Sequence, residues 1–286
     1  MTNWYYKPCF SDEWDEKIDY VMFIDENNCA TAIDKVKEKI LRNEQINPEE
    51  NIFTVTGCYF SHENYLTAKK SFSLLRKKFW KDGKYYNEKA KNFQTVCFHS
   101  EDIRGRKKAF HKNEISEQNY ELFIKELDTT LNKINYHIIS ININLKNYIL
   151  YSKYSELNVY KTAFNFIVER FIFNIGNNKG YIIFEARGKK EDRELLEHIN
   201  KIINYSGTEF IKSEELQKKV LGVFFNEKRN KNDEPYVGLE IADLSSYPIH
   251  RYIKYQTIGR DFKTIKHKIV GYPNYDGKGL KIYPKK

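Results

Sequence analysis

Tyr20-Val-Met-Phe-Ile24 is an unbroken apolar and aromatic run that stops abruptly at Asp25-Glu26-Asn27-Asn28. A short apolar run bounded by polar residues reads as a buried strand, so the chain must build a sheet around it and end that strand on carboxylates. Further strands are expected at Ile52 to Phe60, Phe93 to His99, His137 to Ile143 and Tyr181 to Arg187, with short ones near Glu209 to Ile211 and Gly222 to Phe225. Helices fall between them, at Ala32 to Leu41, Glu63 to Trp80, Glu117 to Ile134, Glu156 to Ile175 and Lys190 to Asn204. A final helix, Gly238 to Tyr255, carries Pro248 as an expected kink. The clearest is Glu156 to Ile175, where Leu157, Tyr160, Phe164, Ile167, Val168 and Phe171 recur at the spacing of one packed face. Strands alternating with helices from end to end predict an α/β fold, a mixed central sheet flanked by helices.

No internal repeat or low-complexity linker divides the 286 residues, so one domain is expected over 1–286, with its core in about 20–256 and an irregular tail from Gly271 to Lys286. Cys9, Cys29, Cys58 and Cys97 are widely spaced, form no C-x-x-C pair, and read as buried free thiols. No segment approaches the length needed to cross a bilayer and no leader pattern opens the chain, which predicts a cytoplasmic protein with no membrane partner. The 48 Lys and Arg against 39 Asp and Glu give a net charge of +9, accompanied by 22 Tyr and 19 Phe. Such a surface suits nucleic acid, because cations displace phosphate counterions and rings stack on bases. A Lys-, Asn- and Ile-rich genome accounts for the same excess, so charge alone does not identify the partner.

Carboxylates at the ends of buried strands carry more information. A strand end holds a carboxylate rigidly over the sheet while leaving it open to metal and substrate. Asp25 ends the first strand and Glu185 ends Tyr181 to Phe184. Asp243 lies within the apolar stretch Gly238-Leu-Glu-Ile-Ala-Asp-Leu244, where an unpaired buried charge costs several kcal/mol, roughly. One or two Mg²⁺ or Mn²⁺ ions shared by these three groups would compensate the charge and activate water against a phosphodiester. Taken singly, each has a structural alternative: a turn cap for Asp25, pairing with Arg187 or Lys189 for Glu185, and a neighbouring Arg or Lys for Asp243. Glu169, at the margin of its helix face, is a fourth candidate, and Asp192 and Glu26 are further ones for which surface roles compete.

Three patches carry a family resemblance: Phe23-Ile-Asp-Glu26, then Phe184-Glu-Ala-Arg-Gly188 with Asp192, then Gly238 to Leu244. Phe98-His-Ser-Glu-Asp-Ile-Arg104 matches a segment between the first two. In order and spacing they resemble the bacterial family catalogued as "domain of unknown function 3800", whose members are assigned to the ribonuclease H-like superfamily of metal-dependent nucleases. The resemblance implies a ribonuclease H-like mixed central β-sheet flanked by helices, with insertions. Asp25 would begin the site on the first strand, Glu185 would enter from a later strand, and Asp243 would close it from the last helix. Glu169 would fill a fourth position from the helix before the Glu185 strand. The chain departs from the family where Asn27-Asn28 replaces the usual Ser-Gly.

Other motifs point elsewhere. Arg106-Lys-Lys-Ala-Phe-His111 has the Arg-and-His spacing of one class of metal-independent ribonucleases. Glu185-Ala-Arg187 is similar to the Glu-x-Lys of restriction-type nucleases, but Arg does not replace a Lys that must lose its proton. His99 is readable as a ligand, a proton-transfer group or a structural imidazole. Arg104 to Lys108 and Glu227 to Lys231 are basic tracts able to meet phosphates or water. No phosphate-binding loop, dinucleotide fingerprint or nucleophile elbow is present. The expectation is a metal-dependent phosphodiester hydrolase acting on DNA or RNA. Its rival is a non-catalytic nucleic-acid-binding or protein-interaction module on the same fold.

Overall fold

A computed structural model describes every residue except 1–3, 10, 12, 13, 16, 29–31, 152–157 and 286. Cys29 and the first two residues of the helix expected from Glu156, Glu156 and Leu157, therefore lie outside the described residues. The first half of the chain runs through Tyr20–Asn27 (β1), Ala32–Leu41 (α1), Ile52–Ser61 (β2), His62–Phe79 (α2), Lys84–Asn87 (β3), Asn92–Thr95 (β4), Ser100–Arg104 (α3) and Glu117–Lys133 (α4). Next come His137–Asn144 (β5), Leu145–Tyr151 (α5), Val159–Ile175 (α6), Gly180–Glu185 (β6) and Lys189–Lys201 (α7). Ser213–Lys219 (α8), Val220–Asn226 (β7), Val237–Tyr255 (α9), Arg260–Ile265 (α10) and Leu280–Tyr283 (β8) complete it.

Six strands form one mixed sheet in the order β7-β6-β1-β2-β5-β8. β2 runs antiparallel to β1 and β5, whereas β6 is parallel to both β1 and β7, and β8 is parallel to β5. The central position of β1 explains its unbroken apolar run, since a strand covered on both faces needs no polar alternation. Successive side chains still point to opposite faces. Phe23 faces α9, where its ring lies so close to Gly238 that a Cβ there would stand 2.1 Å from Cδ2. Met22 faces α6, beside Ile167. Asp25 thus shares the α9 face with Phe23, and Glu26 shares the α6 face with Met22.

Each sheet face is packed by a helix whose buried residues recur at helical spacing. On α6, Phe164, Ile167, Val168 and Phe171 are almost fully buried, each adding roughly 1.5–3 kcal/mol of hydrophobic stabilisation. Beneath α9 the sheet is more polar. Thr54 Oγ1 donates to Asn142 Oδ1 at 2.8 Å and lies 3.0 Å from His250 Nδ1, while Thr56 and Ser140 hydroxyls pair at 3.1 Å. All five side chains are buried, so this stripe is tolerated because its polar atoms bond to one another.

Five expectations need correction. The strand expected over Phe93 to His99 ends at Thr95 and belongs to a separate β3-β4 hairpin. Tertiary partners replace sheet neighbours beyond it: Arg76 Nε donates to Val96 O at 2.6 Å and Phe98 N to Glu240 Oε1 at 2.7 Å. Glu209 to Ile211 forms no strand, because Thr208 folds the segment back, its amide donating to Ile211 O at 2.8 Å. The helix after β6 stops at Lys201 and continues as a π-turn over Ile202–Ser206. The tail is not irregular throughout, since β8 pairs with β5; nor is α9 the last helix, since α10 follows it.

The outer strands are β8, four residues long, and β7, which is partly covered near its end. β8 lies along β5, and near the other end Phe225 N donates to Cys9 O at 2.7 Å while Asn226 exchanges hydrogen bonds with the Ser11 backbone at 3.0 and 2.9 Å. Cys58 is buried as expected, while Cys9 and Cys97 are only partly covered, and all three are free thiols. Among the described residues no helix is long and apolar enough to cross a membrane.

Candidate active site

The sheet brings two carboxylates level before any helix is considered. Ile24 lies opposite Phe184 in the parallel β1-β6 pair, so the following residues, Asp25 and Glu185, sit abreast, and neighbours in register project to the same face. That face is covered by α9, which supplies Asp243. The three side chains line one cleft of about 430 Å³.

Asp25 is 8% exposed, and its Oδ2 has no hydrogen-bond partner among the described residues. Burial pushes its carboxyl well above the usual range, and the negative charges of Asp243 and Glu185 push it further. Asp243 is raised chiefly by burial, against the pull of His99 and Lys228. Its Oδ2 accepts the Ser100 amide at 2.5 Å, and its Oδ1 lies 3.6 Å from His99 Nε2. Lys228 enters from the turn after β7, placing Nζ 3.4 Å from Glu185 Oε1. Burial works against its ammonium, but Glu185, Asp243 and Asp25 together raise its pKa. A single lysine charge therefore stands among the three carboxylates.

The segment that carries His99 is held by α9. Glu240 and Asp243, one turn apart, accept the amides of Phe98 and Ser100. Glu240 is itself buried in an ion pair with Arg76 of α2, whose guanidinium also takes the Val96 carbonyl. His99 Nδ1 lies 3.3 Å from Asp102 Oδ2, and Lys108 Nζ lies 2.8 Å from the same oxygen. Burial opposes the charge on Asp102, but hydrogen bonds from His99 and Lys108 outweigh it and bring the pKa down to about 2. On the cleft wall, the Arg104 guanidinium stacks 3.2 Å above the Tyr247 ring.

Of the residues singled out in the sequence, Asp25, Glu185 and Asp243 converge. Glu185 pairs with Lys228 rather than with Arg187 or Lys189. Glu26, for which a surface role competes, also lines the cleft; burial raises its pKa, Tyr160 hydrogen-bonds to it, and Arg187 lies 3.8 Å away while stacking on the Tyr160 ring. Glu169 does not join them. It is 2% exposed, and its surroundings are Thr208, Arg170, Glu209 and Lys281, away from the cleft. Asp192 also stays out of the cleft, because its oxygens accept the Arg187 and Gly188 amides at 3.1 and 3.4 Å and fix the turn into α7. Arg106 stacks on Tyr120 and pairs with Glu117, while His111 Nδ1 accepts the Asn113 amide, so that motif assembles no site.

Lys228 was legible only as part of a basic tract, and Glu240 was not singled out at all. The signal for Glu240 was its spacing of three from Asp243, which places both on one side of a helix. Among the described residues, no group of three or more His, Cys, Asp or Glu side chains stands preassembled around a common ion position. The chain matches no family model, no curated protein and no solved structure.

Proposed function

We propose that this protein is a divalent-metal-dependent nuclease-like hydrolase of nucleic-acid phosphodiester bonds, built on a ribonuclease H-like fold. The observation that carries the reading is the convergence of Asp25, Glu185 and Asp243 from two adjacent strand ends and one helix, with the buried Asp25 Oδ2 left without a partner. Mutually repelling carboxylates in a buried cleft call for positive charge, and an all-oxygen donor set suits Mg²⁺ or Mn²⁺. A divalent ion held by these groups would supply Lewis acidity for activating water and stabilising the leaving oxygen. The resemblance to the family of "domain of unknown function 3800" agrees with this placement, since it implies a first-strand Asp, a later-strand Glu and a closing-helix Asp.

The chain's own groups have separable tasks. Asp25, Glu185 and Asp243 hold the ion or ions. Lys228 balances their charge in the ion-free protein and supplies a cation to a phosphate when it turns outward. Arg104, stacked on Tyr247, offers the strand a guanidinium and an aromatic face. Glu240 and Arg76 keep the His99 segment against α9.

The test is cleavage of RNA, DNA and RNA–DNA hybrids with Mg²⁺ or Mn²⁺ by the natural protein and by Asp25→Asn and Asp243→Asn. Metal-dependent cleavage lost in both variants supports the reading; cleavage that survives both removes the site. A second reading, a binding module without catalysis, is favoured by Lys228 standing among the carboxylates. It requires salt-sensitive, metal-independent binding with the substrate left intact.

A further inference from the structure

His99 is oriented from behind. Its Nδ1 points to Asp102 Oδ2 at 3.3 Å, and Lys108 Nζ, 2.8 Å from that oxygen, is the ionic partner of the same carboxylate. Asp102 is itself buried. A neutral imidazole that donates its Nδ1–H to a carboxylate presents an unshared electron pair at Nε2. Here Nε2 faces Asp243 Oδ1 at 3.6 Å, beyond the reach of a hydrogen bond. Neither group is free to turn aside, since Asp243 is anchored by the Ser100 amide and His99 by Asp102. Such a facing nitrogen and oxygen are joined by a positive centre, either a proton on Nε2 or a metal ion. Asp25, more than nine-tenths buried, contributes a third unshared donor atom, Oδ2, to the same cleft.

We infer that His99 is a metal ligand through Nε2, acting with Asp243 Oδ1, and that Asp102 is the positioning residue behind it. The inference rests on the reading of the acidic cleft as a divalent-ion site and adds a nitrogen donor to it. A nitrogen donor changes which ion is preferred. Mg²⁺ favours oxygen ligands and keeps its waters, whereas first-row transition ions accept imidazole readily. The cleft is therefore selective for a transition ion, with Mn²⁺ as the probe, over Mg²⁺.

The experiment titrates Mn²⁺ and Mg²⁺ separately against the full chain by calorimetry and records the electron spin-echo modulation of bound Mn²⁺. The wild-type protein is expected to bind Mn²⁺ on the order of tenfold more tightly than Mg²⁺ and to show ¹⁴N modulation from a coordinated imidazole. His99→Gln should abolish the modulation and weaken Mn²⁺ binding by about 10- to 100-fold, with a smaller effect on Mg²⁺. Asp102→Asn should weaken Mn²⁺ binding by about tenfold, and Asp102→Glu should recover part of that loss. Bound Mn²⁺ without ¹⁴N modulation in the wild-type protein overturns the inference, and this reading does not depend on any variant folding. Unchanged Mn²⁺ affinity in His99→Gln overturns it as well. If Asp25→Asn alone abolishes binding, the metal-dependent reading stands and only the role of His99 falls. If the wild-type protein takes up neither ion, both fall.

Discussion

Lys228 Nζ stands 3.4 Å from Glu185 Oε1 and is the positive charge that the carboxylates of Asp25 and Asp243 also feel. If the cleft holds a divalent ion as proposed, Lys228 is the charge that offsets the carboxylates in its absence. Lys228→Met should therefore lower the melting temperature of the ion-free protein and tighten divalent-ion binding on the order of tenfold, the scale of one partly screened charge. Thermal melts with and without Mg²⁺ or Mn²⁺ check both. Equal ion-induced shifts in variant and wild type would show that the lysine does not compete for the site.

Asp25→Asn and Glu169→Gln separate the two buried acids. Replacing Asp25 removes a charge that Asp243 and Glu185 repel, so the ion-free protein should gain about 1–2 kcal/mol while losing ion-induced stabilisation and cleavage. Glu169→Gln, near Thr208 and outside the cleft, should leave ion binding and cleavage within about twofold of wild type, a change under ~0.5 kcal/mol. Urea denaturation and the cleavage assay read both. Loss of activity in Glu169→Gln would return that residue to the site.

The Arg76-Glu240 pair is buried on both sides. Arg76→Met leaves an uncompensated carboxylate and should cost roughly 3–5 kcal/mol, whereas Arg76→Met with Glu240→Leu should recover much of it. A double-mutant cycle by denaturation measures the coupling. Amide exchange at Phe98, whose N–H bonds to Glu240, should accelerate in both variants.

His250 gives a pH dependence of known sign. Burial, reinforced by Lys254, brings its pKa from 6.5 down to about 4, so the unfolded chain binds the proton more readily than the folded one. Its contribution is fully present above pH 6.5 and is lost as pH falls from there through about 4. The loss approaches ~3 kcal/mol at most. Subtracting the stability of His250→Asn from that of the wild type at pH 7 and pH 4.5 should reveal this slope; a difference that does not change with pH would show that the imidazole is not buried as a neutral ring.

The sequence was most legible where a single local rule sufficed. The run into Asp25, the matching run into Glu185 and the acid within α9 each announced themselves against an apolar background, and the register of β1 and β6 then placed the first two side by side. Glu169 misled because helical periodicity says which residues are buried but not which end of the helix faces the cleft. Asp192 misled because an acid near a helix start serves the backbone as readily as a ligand. Lys228, Arg76 and the His99-Asp102 pair depend on contacts between distant segments, which no local pattern encodes. The same holds for β8, whose strand character comes from its neighbour β5 rather than from its four residues.

The sheet ends on a short outer strand, β8, at one side and on a partly covered β7 at the other, and both features bear on association. Loss of residues 271–286 would bare β5, and displacement of the Cys9 and Ser11 contacts would weaken the cover near the end of β7. An uncovered edge presents a row of free amides and carbonyls that another chain can extend. Trimming or anchoring either end would thus alter how readily copies of the protein join into larger sheets, even with every carboxylate of the cleft untouched.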